Sequence, residues 1–256
     1  MNKHYAITDL HGMGKLWDQI KEYCDETDTI YFLGDAADRG PDGLRVMREL
    51  FQDKRVVYIK GNHEGIMENV APGLIDGYTY DINLWLMNGG KPTIDAFKSL
   101  SEPSQCWYIR KIRSLPDVAL YTNPKGQTII LSHAGIDPDD MDNKQPNRYR
   151  ESPWQWDRDH FYSKWNPDPK YNNTYIVHGH TPVPHVIAKL NEMDRFMDRP
   201  PRYTSWDYKI LNYADGHKFD LDLASFQTER VALFDLDELK VEKYFYDLGV
   251  DEKNGQ

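Results

Sequence analysis

The chain has 256 residues, with 31 Lys+Arg against 41 Asp+Glu and a formal net charge of −10. Its 39% apolar content suffices for a sizeable core and excludes a disordered chain. No apolar run reaches the roughly 18 residues of a membrane span, the two cysteines Cys24 and Cys106 cannot form a disulfide framework, and the acidic balance argues against a duplex-DNA binder.

No secretory leader precedes the first strand-like run, at residues 4–8, which predicts a cytoplasmic protein. That run stops at Asp9-Leu10-His11-Gly12. Residues 15–24 have helical spacing, with Leu16, Ile20 and Tyr23 on one face. A β-rich run at 29–33 ends at Gly34-Asp35, and residues 42–51 read as a helix after Gly40-Pro41. Residues 55–59 form a third strand, which ends before Gly61-Asn62-His63-Glu64. Two further strands, at 128–131 and 174–177, end at Ser132-His133-Ala134-Gly135 and His178-Gly179-His180-Thr181. Residues 136–173, rich in Pro, Asp, Asn and Trp, read as a long functional or flexible loop. Residues 183–209 read as mixed structure with a break at Arg199-Pro200-Pro201-Arg202, able to cover a site. Strand-like runs at 209–213, 230–235 and 240–246 read as an antiparallel tail. Residues 1–250 are expected to form one domain, and 251–256 to fray.

Five strand-like runs therefore end in polar stretches that carry Asp, Asn or His. In open α/β sheets ligands bind beyond the carboxyl ends of the strands, so five such exits predict one shared site. Singly, Asp9 reads as a turn or cap residue and a lone loop His as a hydrogen-bonded one. Together, two Asp, one Asn and three His (Asp9, His11, Asp35, Asn62, His133, His180) make a ligand set without thiolate, suited to Mn²⁺, Zn²⁺ or Fe²⁺ rather than Ca²⁺. Six ligands crowd one cation but suit two, held about 3.5–4 Å apart as in phosphatases.

With these residues the sequence resembles the phosphoprotein-phosphatase type of the calcineurin-like metallophosphoesterases, above all its small bacterial and bacteriophage members. The motifs are Thr8-Asp9-Leu10-His11-Gly12, Gly34-Asp35-Ala36-Ala37-Asp38-Arg39-Gly40, Gly61-Asn62-His63-Glu64, Ser132-His133-Ala134-Gly135 and Gly179-His180-Thr181-Pro182. The segments Leu84-Trp85-Leu86-Met87-Asn88-Gly89-Gly90 and Trp156-Asp157-Arg158 add to the likeness. The resemblance implies a two-sheet β-sandwich flanked by helices (α/β/β/α) and two divalent ions, Mn²⁺ ahead of Fe²⁺ or Zn²⁺. Asp9, His11 and Asp35 would hold the first ion; Asp35, Asn62, His133 and His180 the second. A hydroxide bridging the two would attack phosphorus in line, its pKa lowered from ~15.7 to about 7. His63 would protonate the leaving group, oriented by Asp38, while Arg39, Asn62 and Arg158 bind phosphate. Arg158 reads equally well as a surface residue paired with Asp157 or Asp159. Two departures stand out: Thr8 replaces the usual Gly, and Pro182 replaces the second His of the Gly-His-x-His ending, which lowers the odds of a diesterase.

The expected activity is a metal-dependent phosphomonoesterase acting on a phosphorylated protein, on Ser/Thr or with dual specificity, or on a small phosphoester. A dinucleoside polyphosphate hydrolase is the alternative; Asp38 and Glu64 depart from its symmetrically cleaving type. A non-catalytic binding scaffold is a third, disfavoured by the complete ligand set. No membrane or nucleic-acid partner is expected. His178 either faces the site or satisfies a backbone carbonyl. His4, His160, His185 and His217 read as structural or exposed, and Cys24 and Cys106 as inert. Trp154, Trp156, Phe161, Tyr162 and Trp165 read as a satellite core pinning the long loop rather than a substrate wall. Arg148 and Arg150 read as solvated charges or as anion steerers.

Overall fold

The computed structural model describes residues 2–78, 82–136, 152–162, 169–197 and 208–247. Arg148, Arg150, Trp165, the Tyr162 side chain, the break at 199–202 and the tail at 251–256 lie outside the described residues. The first half runs β1 (His4–Ile7), α1 (Gly14–Tyr23), β2 (Thr29–Phe32), α2 (Gly43–Gln52) and β3 (Val56–Tyr58). Helices α3 (Asn62–Ile75), α4 (Ile82–Met87), α5 (Lys91–Lys98) and α6 (Glu102–Arg113) follow. Then come β4 (Val118–Thr122), β5 (Thr128–Ser132), α7 (Pro153–Trp156), β6 (Thr174–His178) and α8 (Val183–Phe196). The chain closes with β7 (Leu211–Tyr213), β8 (Lys218–Asp220), α9 (Ser225–Thr228), β9 (Arg230–Asp235) and β10 (Lys240–Tyr246).

Two five-stranded mixed sheets result, in the orders β10-β9-β1-β2-β3 and β4-β5-β6-β8-β7. Strands β1, β2 and β3 are parallel, as are β5, β6 and β8. Side chains alternate across a strand, so each sheet presents two apolar faces. In β1, Tyr5 and Ile7 join the helix-facing core with Leu16, Trp17, Ile20, Met47 and Phe97. Ala6 and its pairing partner Phe234 on β9 point the other way, into a core shared with Leu131, Val177 and Phe219 of the facing sheet. Helix α8 lays Val186, Ile187 and Leu190 against Leu211 and Tyr213 on the far side of the second sheet. The layering is α/β/β/α, as the resemblance implied.

Two expectations need correction. The tail is not one antiparallel unit: β9 and β10 complete the first sheet, while β7 pairs with β8 in the second. Residues 183–196 are not mixed but form a regular helix. Pro184 interrupts the sequence pattern, yet it sits in the first helical turn, where proline's missing N–H costs nothing. Among the described residues, no helix is long and apolar enough to cross a membrane.

The shared core is the structural keystone between the sheets. Phe234, 1% exposed, meets the Phe219 ring at 5.0 Å. Phe234→Ala is expected to cost about 3–5 kcal/mol in chemical denaturation, whereas Met87→Ala, at a side chain 86% exposed, should stay within about 0.5 kcal/mol.

Candidate active site

The carboxyl ends of β1, β2, β3, β5 and β6 converge, and each turns sharply into its polar motif. Asp9, His11, Asp35, Asp38, Arg39 and His180 all have φ between 44° and 70°. Each such non-glycine residue costs on the order of 1–3 kcal/mol, which only a rigid surround sustains. That surround is a lattice of main-chain bonds between loops: Asp9 N–H to Gly34 O at 3.0 Å, His11 N–H to Asp35 O at 2.9 Å, and Gly40 N–H to His11 O at 2.9 Å.

Asp35 lies at the centre, 1% exposed. Its Oδ2 faces three imidazoles: His133 Nε2 at 3.3 Å, and His11 Nε2 and His63 Nε2 at 3.7 Å each. Burial alone would raise its pKa, but the facing His133 and His63 rings outweigh that and hold the carboxyl well below its ordinary range. The same attraction acts on His133: burial pushes it down, Asp35 pushes it up further, and the imidazole rises to about 10. Burial lowers the pKa of His11 and His180, keeping both in the neutral form that can ligate a cation.

Each ring is oriented from behind. His11 Nδ1 donates to Ala37 O at 3.1 Å and His133 Nδ1 to Leu33 O at 2.7 Å, so both turn Nε2 to the site. Asn62 Oδ1 lies 2.9 Å from both His133 Nε2 and His180 Nδ1. Asp9 Oδ2 accepts from the Thr8 hydroxyl at 2.6 Å and from His180 N–H at 3.0 Å. Thr8, the first departure from the motif, therefore braces the Asp9 carboxylate. Gly179 completes that brace, since a Cβ there would lie 2.2 Å from Asp9 Oδ2.

His63 Nδ1 meets Asp38 Oδ2 at 2.6 Å. Burial would lower the His63 pKa, but Asp35 and Asp38 reverse this and raise it. The Arg39 guanidinium spans the two rings, touching His11 Nε2 and lying 3.2 Å from His63 Nε2. Arg158 points its Nε at His180 Nε2, 3.0 Å away. Arg158 is an exposed side chain, and among the described residues His180 is its side-chain hydrogen-bond partner.

Whether these residues fit divalent cations can be judged from the donor set. His11, Asp35 and His63 bring one ligand atom each within 4.8 Å of one another, as do Asp35, His133 and His180. Asp35 belongs to both groups. Asp9 Oδ1 is buried without any hydrogen-bond partner, 3.6 Å from His11 Nε2. An orphaned carboxylate oxygen in a dry pocket is costly unless a cation meets it. The guanidinium of Arg39 already places positive charge against two of the imidazole nitrogens. The donor set fits.

A model of the calcineurin-like phosphoesterase family matches residues 3–223. The chain belongs to that family. It is 26% identical over 215 residues to the asymmetrical bis(5′-nucleosyl)-tetraphosphatase of Bacillus velezensis, covering 73% of this chain and 82% of that protein. It is 30% identical over 147 residues to the symmetrical bis(5′-nucleosyl)-tetraphosphatase of Buchnera aphidicola, covering 52% of this chain and 45% of that protein. A protein serine/threonine phosphatase of Saccharomyces cerevisiae shares the fold with a TM-score of 0.52 and 12% identity, over 98% of this chain and 82% of that one.

In this calcineurin-like phosphoesterase further residues support the centre, Glu64 and Trp85 from within the motif segments and Thr93 and Ser225 from outside them. Glu64 accepts four hydrogen bonds, from the N–H groups of Asp35, Ala36 and Gly61 and from the Tyr58 hydroxyl, at 2.8–2.9 Å. Trp85 Nε1 donates to both Asp38 oxygens, and Thr93 Oγ1 accepts from Asp38 N–H. The Ser225 hydroxyl donates to Asp9 O. Glu64 had a signal in its helix-start position three residues after Gly61; Thr93 and Ser225 had none. Of the remaining histidines, His178 satisfies Gly179 O and pairs with the Tyr213 hydroxyl, and burial drops its pKa to about 3. His4 pairs with Tyr121 and Asp237, His217 donates to Thr174 O, and His185 is exposed. His160 is buried, where the Lys218 ammonium donates to its carbonyl at 2.9 Å and lies 3.2 Å from its Nδ1. Among the described residues, Trp154, Trp156 and Phe161 do not share one satellite core. Trp154 packs on Ile130, Ile136 and Ile176, Trp156 on the helix-facing core, and Phe161 under α8.

Gly61 lies where β3 enters this network, and a Cβ there would lie 2.2 Å from Asp35 Oδ1 and 2.6 Å from Asp35 N. Gly61→Ala is expected to lose about 1–3 kcal/mol of stability in denaturant unfolding.

Proposed function

We propose that this chain is a metal-dependent hydrolase of dinucleoside polyphosphates, cleaving asymmetrically. The observation that carries the reading is the extent of likeness: the alignment spans 82% of an asymmetrical tetraphosphatase but only 45% of a symmetrical one. Asp38 and Glu64, which depart from the symmetrical type, agree with it. The reading revises the sequence-based preference for a phosphoprotein substrate.

In this reading Asp9, His11 and Asp35 hold one divalent cation, and Asp35, Asn62, His133 and His180 the other. Such cations lower the pKa of a bound water to about 7 and neutralise phosphate charge. The chain's own residues do the rest. Arg39 offers a planar fork matched to two phosphate oxygens, with Asn62 and Arg158 beside it. His63 presents Nε2 to the pocket while Asp38 holds Nδ1 at 2.6 Å, so a proton on Nε2 passes to the departing oxygen as its bond to phosphorus breaks. Imidazole and carboxylate ligands suit Mn²⁺, Fe²⁺ and Zn²⁺ alike; the preference for Mn²⁺ rests on the family resemblance.

One observation favours a second reading, a serine/threonine or dual-specificity phosphomonoesterase. Asp38 and His63 form a buried pair at 0% and 2% exposure, and an alkoxide leaving group needs a proton more than a nucleotide phosphate does.

Purified protein with Mn²⁺ and diadenosine tetraphosphate separates these outcomes by chromatography. ATP plus AMP is the expected product pair; two ADP would mean symmetrical cleavage. An intact dinucleotide alongside rapid phosphate release from a phosphoserine peptide would establish the second reading instead. Metal content gives an independent check. Asp35→Asn, at the residue common to both groups, should take bound Mn²⁺ from two ions per chain towards none, measured by elemental analysis after gel filtration.

A further inference from the structure

We propose that Trp85 is a positioning residue of the hydrolytic reaction: its indole N–H fixes the Asp38 carboxylate, and Asp38 in turn aims His63 at the leaving-group oxygen. The inference rests on the proposed role of His63 as proton donor.

Asp38 is fully buried and sits at a φ of 68°. An ionised carboxylate only accepts hydrogen bonds, and its plane turns freely unless both oxygens are held. Oδ2 takes His63 Nδ1 at 2.6 Å. Trp85 Nε1 straddles the two oxygens, 2.9 Å from each, and is the side-chain partner of Oδ1 among the described residues. The indole itself cannot turn, being fully buried in the helix-facing core. A three-membered chain from indole through carboxylate to imidazole thus ends at Nε2 facing the pocket.

The backbone beyond Trp85 is shaped around this contact. Gly90 N–H returns to Trp85 O at 2.8 Å, and a Cβ on Gly90 would lie 2.1 Å from Trp85 Cδ1, inside the indole ring. Gly89, at a φ of +84°, offers its carbonyl to Arg39 N–H at 2.9 Å, and a Cβ on it would lie 2.9 Å from Arg39 Cγ. One short segment, α4 with its two following glycines, therefore sets the neighbours Asp38 and Arg39 together. Among the described residues, the Trp85 indole N–H donates to Asp38. Its effect reaches the reaction through Asp38 alone, the indirect route by which outer hydrogen bonds tune a site.

Leaving groups provide the test. Phenyl phosphate needs a proton on its departing oxygen, whereas 2,4-dinitrophenyl phosphate departs without one. Two changes remove the N–H of residue 85. Trp85→Phe also loses volume, whereas site-specific β-(3-benzothienyl)alanine replaces only N–H by sulfur and keeps the shape. Expected is a fall in kcat on phenyl phosphate of about 10- to 100-fold, the scale of a misplaced catalytic group, with kcat on 2,4-dinitrophenyl phosphate, KM and Mn²⁺ content within about threefold of the parent. His63→Asn is the control, expected to cut phenyl phosphate turnover by about 10²–10⁴ and spare the activated ester. Equal losses on both esters for the benzothienyl protein, or none on either, would overturn the role of Trp85 while the control stands. A control with no leaving-group dependence would overturn the role of His63 first.

Discussion

Everything in this molecule is arranged around one costly act, the burial of the Asp35 carboxylate among imidazoles. A lone ionised carboxylate in a dry interior is unstable by many kcal/mol. Here three ring nitrogens lie within 3.7 Å of Oδ2, and the His133 and His63 rings supply the compensating charge. Oδ1 accepts from His63 N–H at 3.0 Å, at the start of α3. The residue is thus a hub: it sits at the exit of β2, it caps the helix that follows β3, and it faces the histidine that follows β5. Two divalent cations would relieve the concentration of acceptors that the fold gathers there.

Assembling such a hub demands close approach between backbones, and glycine supplies it at few places. A Cβ on Gly12 would lie 2.6 Å from Gly40 O, and one on Gly34 would lie 2.5 Å from Gly61 N and Cα. Gly12 and Gly34 also have φ values of +70° and +95°. These contacts join the loops after β1, β2 and β3 into one rigid floor. The ligand-bearing residues between them adopt left-handed backbones that a flexible loop would not hold. Rigidity here is preorganisation: the donors are already turned inward before any cation or phosphate arrives.

A second tier holds the first. Glu64 ties three loop N–H groups to α3, Trp85 and Thr93 hold Asp38, and Thr8 with Ser225 hold Asp9. On the far wall Lys218 binds the His160 carbonyl, anchoring the short segment from which Arg158 reaches His180. The rim is therefore fastened to both sheets, though its side chains come from loops of unrelated sequence.

What was legible beforehand follows from chemistry that sequence displays directly. Strand runs ending in Asp-x-His, Gly-Asp, Gly-Asn-His-Glu and paired histidines reveal themselves by residue type and periodicity, because an apolar strand has no use for such groups at its exit. The parallel β1-α1-β2-α2-β3 half was readable for the same reason, each element carrying its own apolar period. The rest waited for tertiary structure because it depends on partners distant in the chain. Nothing local tells that β7 leaves β9 and β10 for the other sheet, since strands of either sheet alternate alike. Nothing local gives the Trp85 indole to Asp38, 47 positions earlier, or Lys218 to His160. Nor could composition show left-handed backbones at Asp9, His11 and His180, for that strain exists only when neighbouring loops impose it. By itself the sequence determined which chemical groups the protein commits to its centre; only the packing of two sheets decided which atoms of those groups face one another.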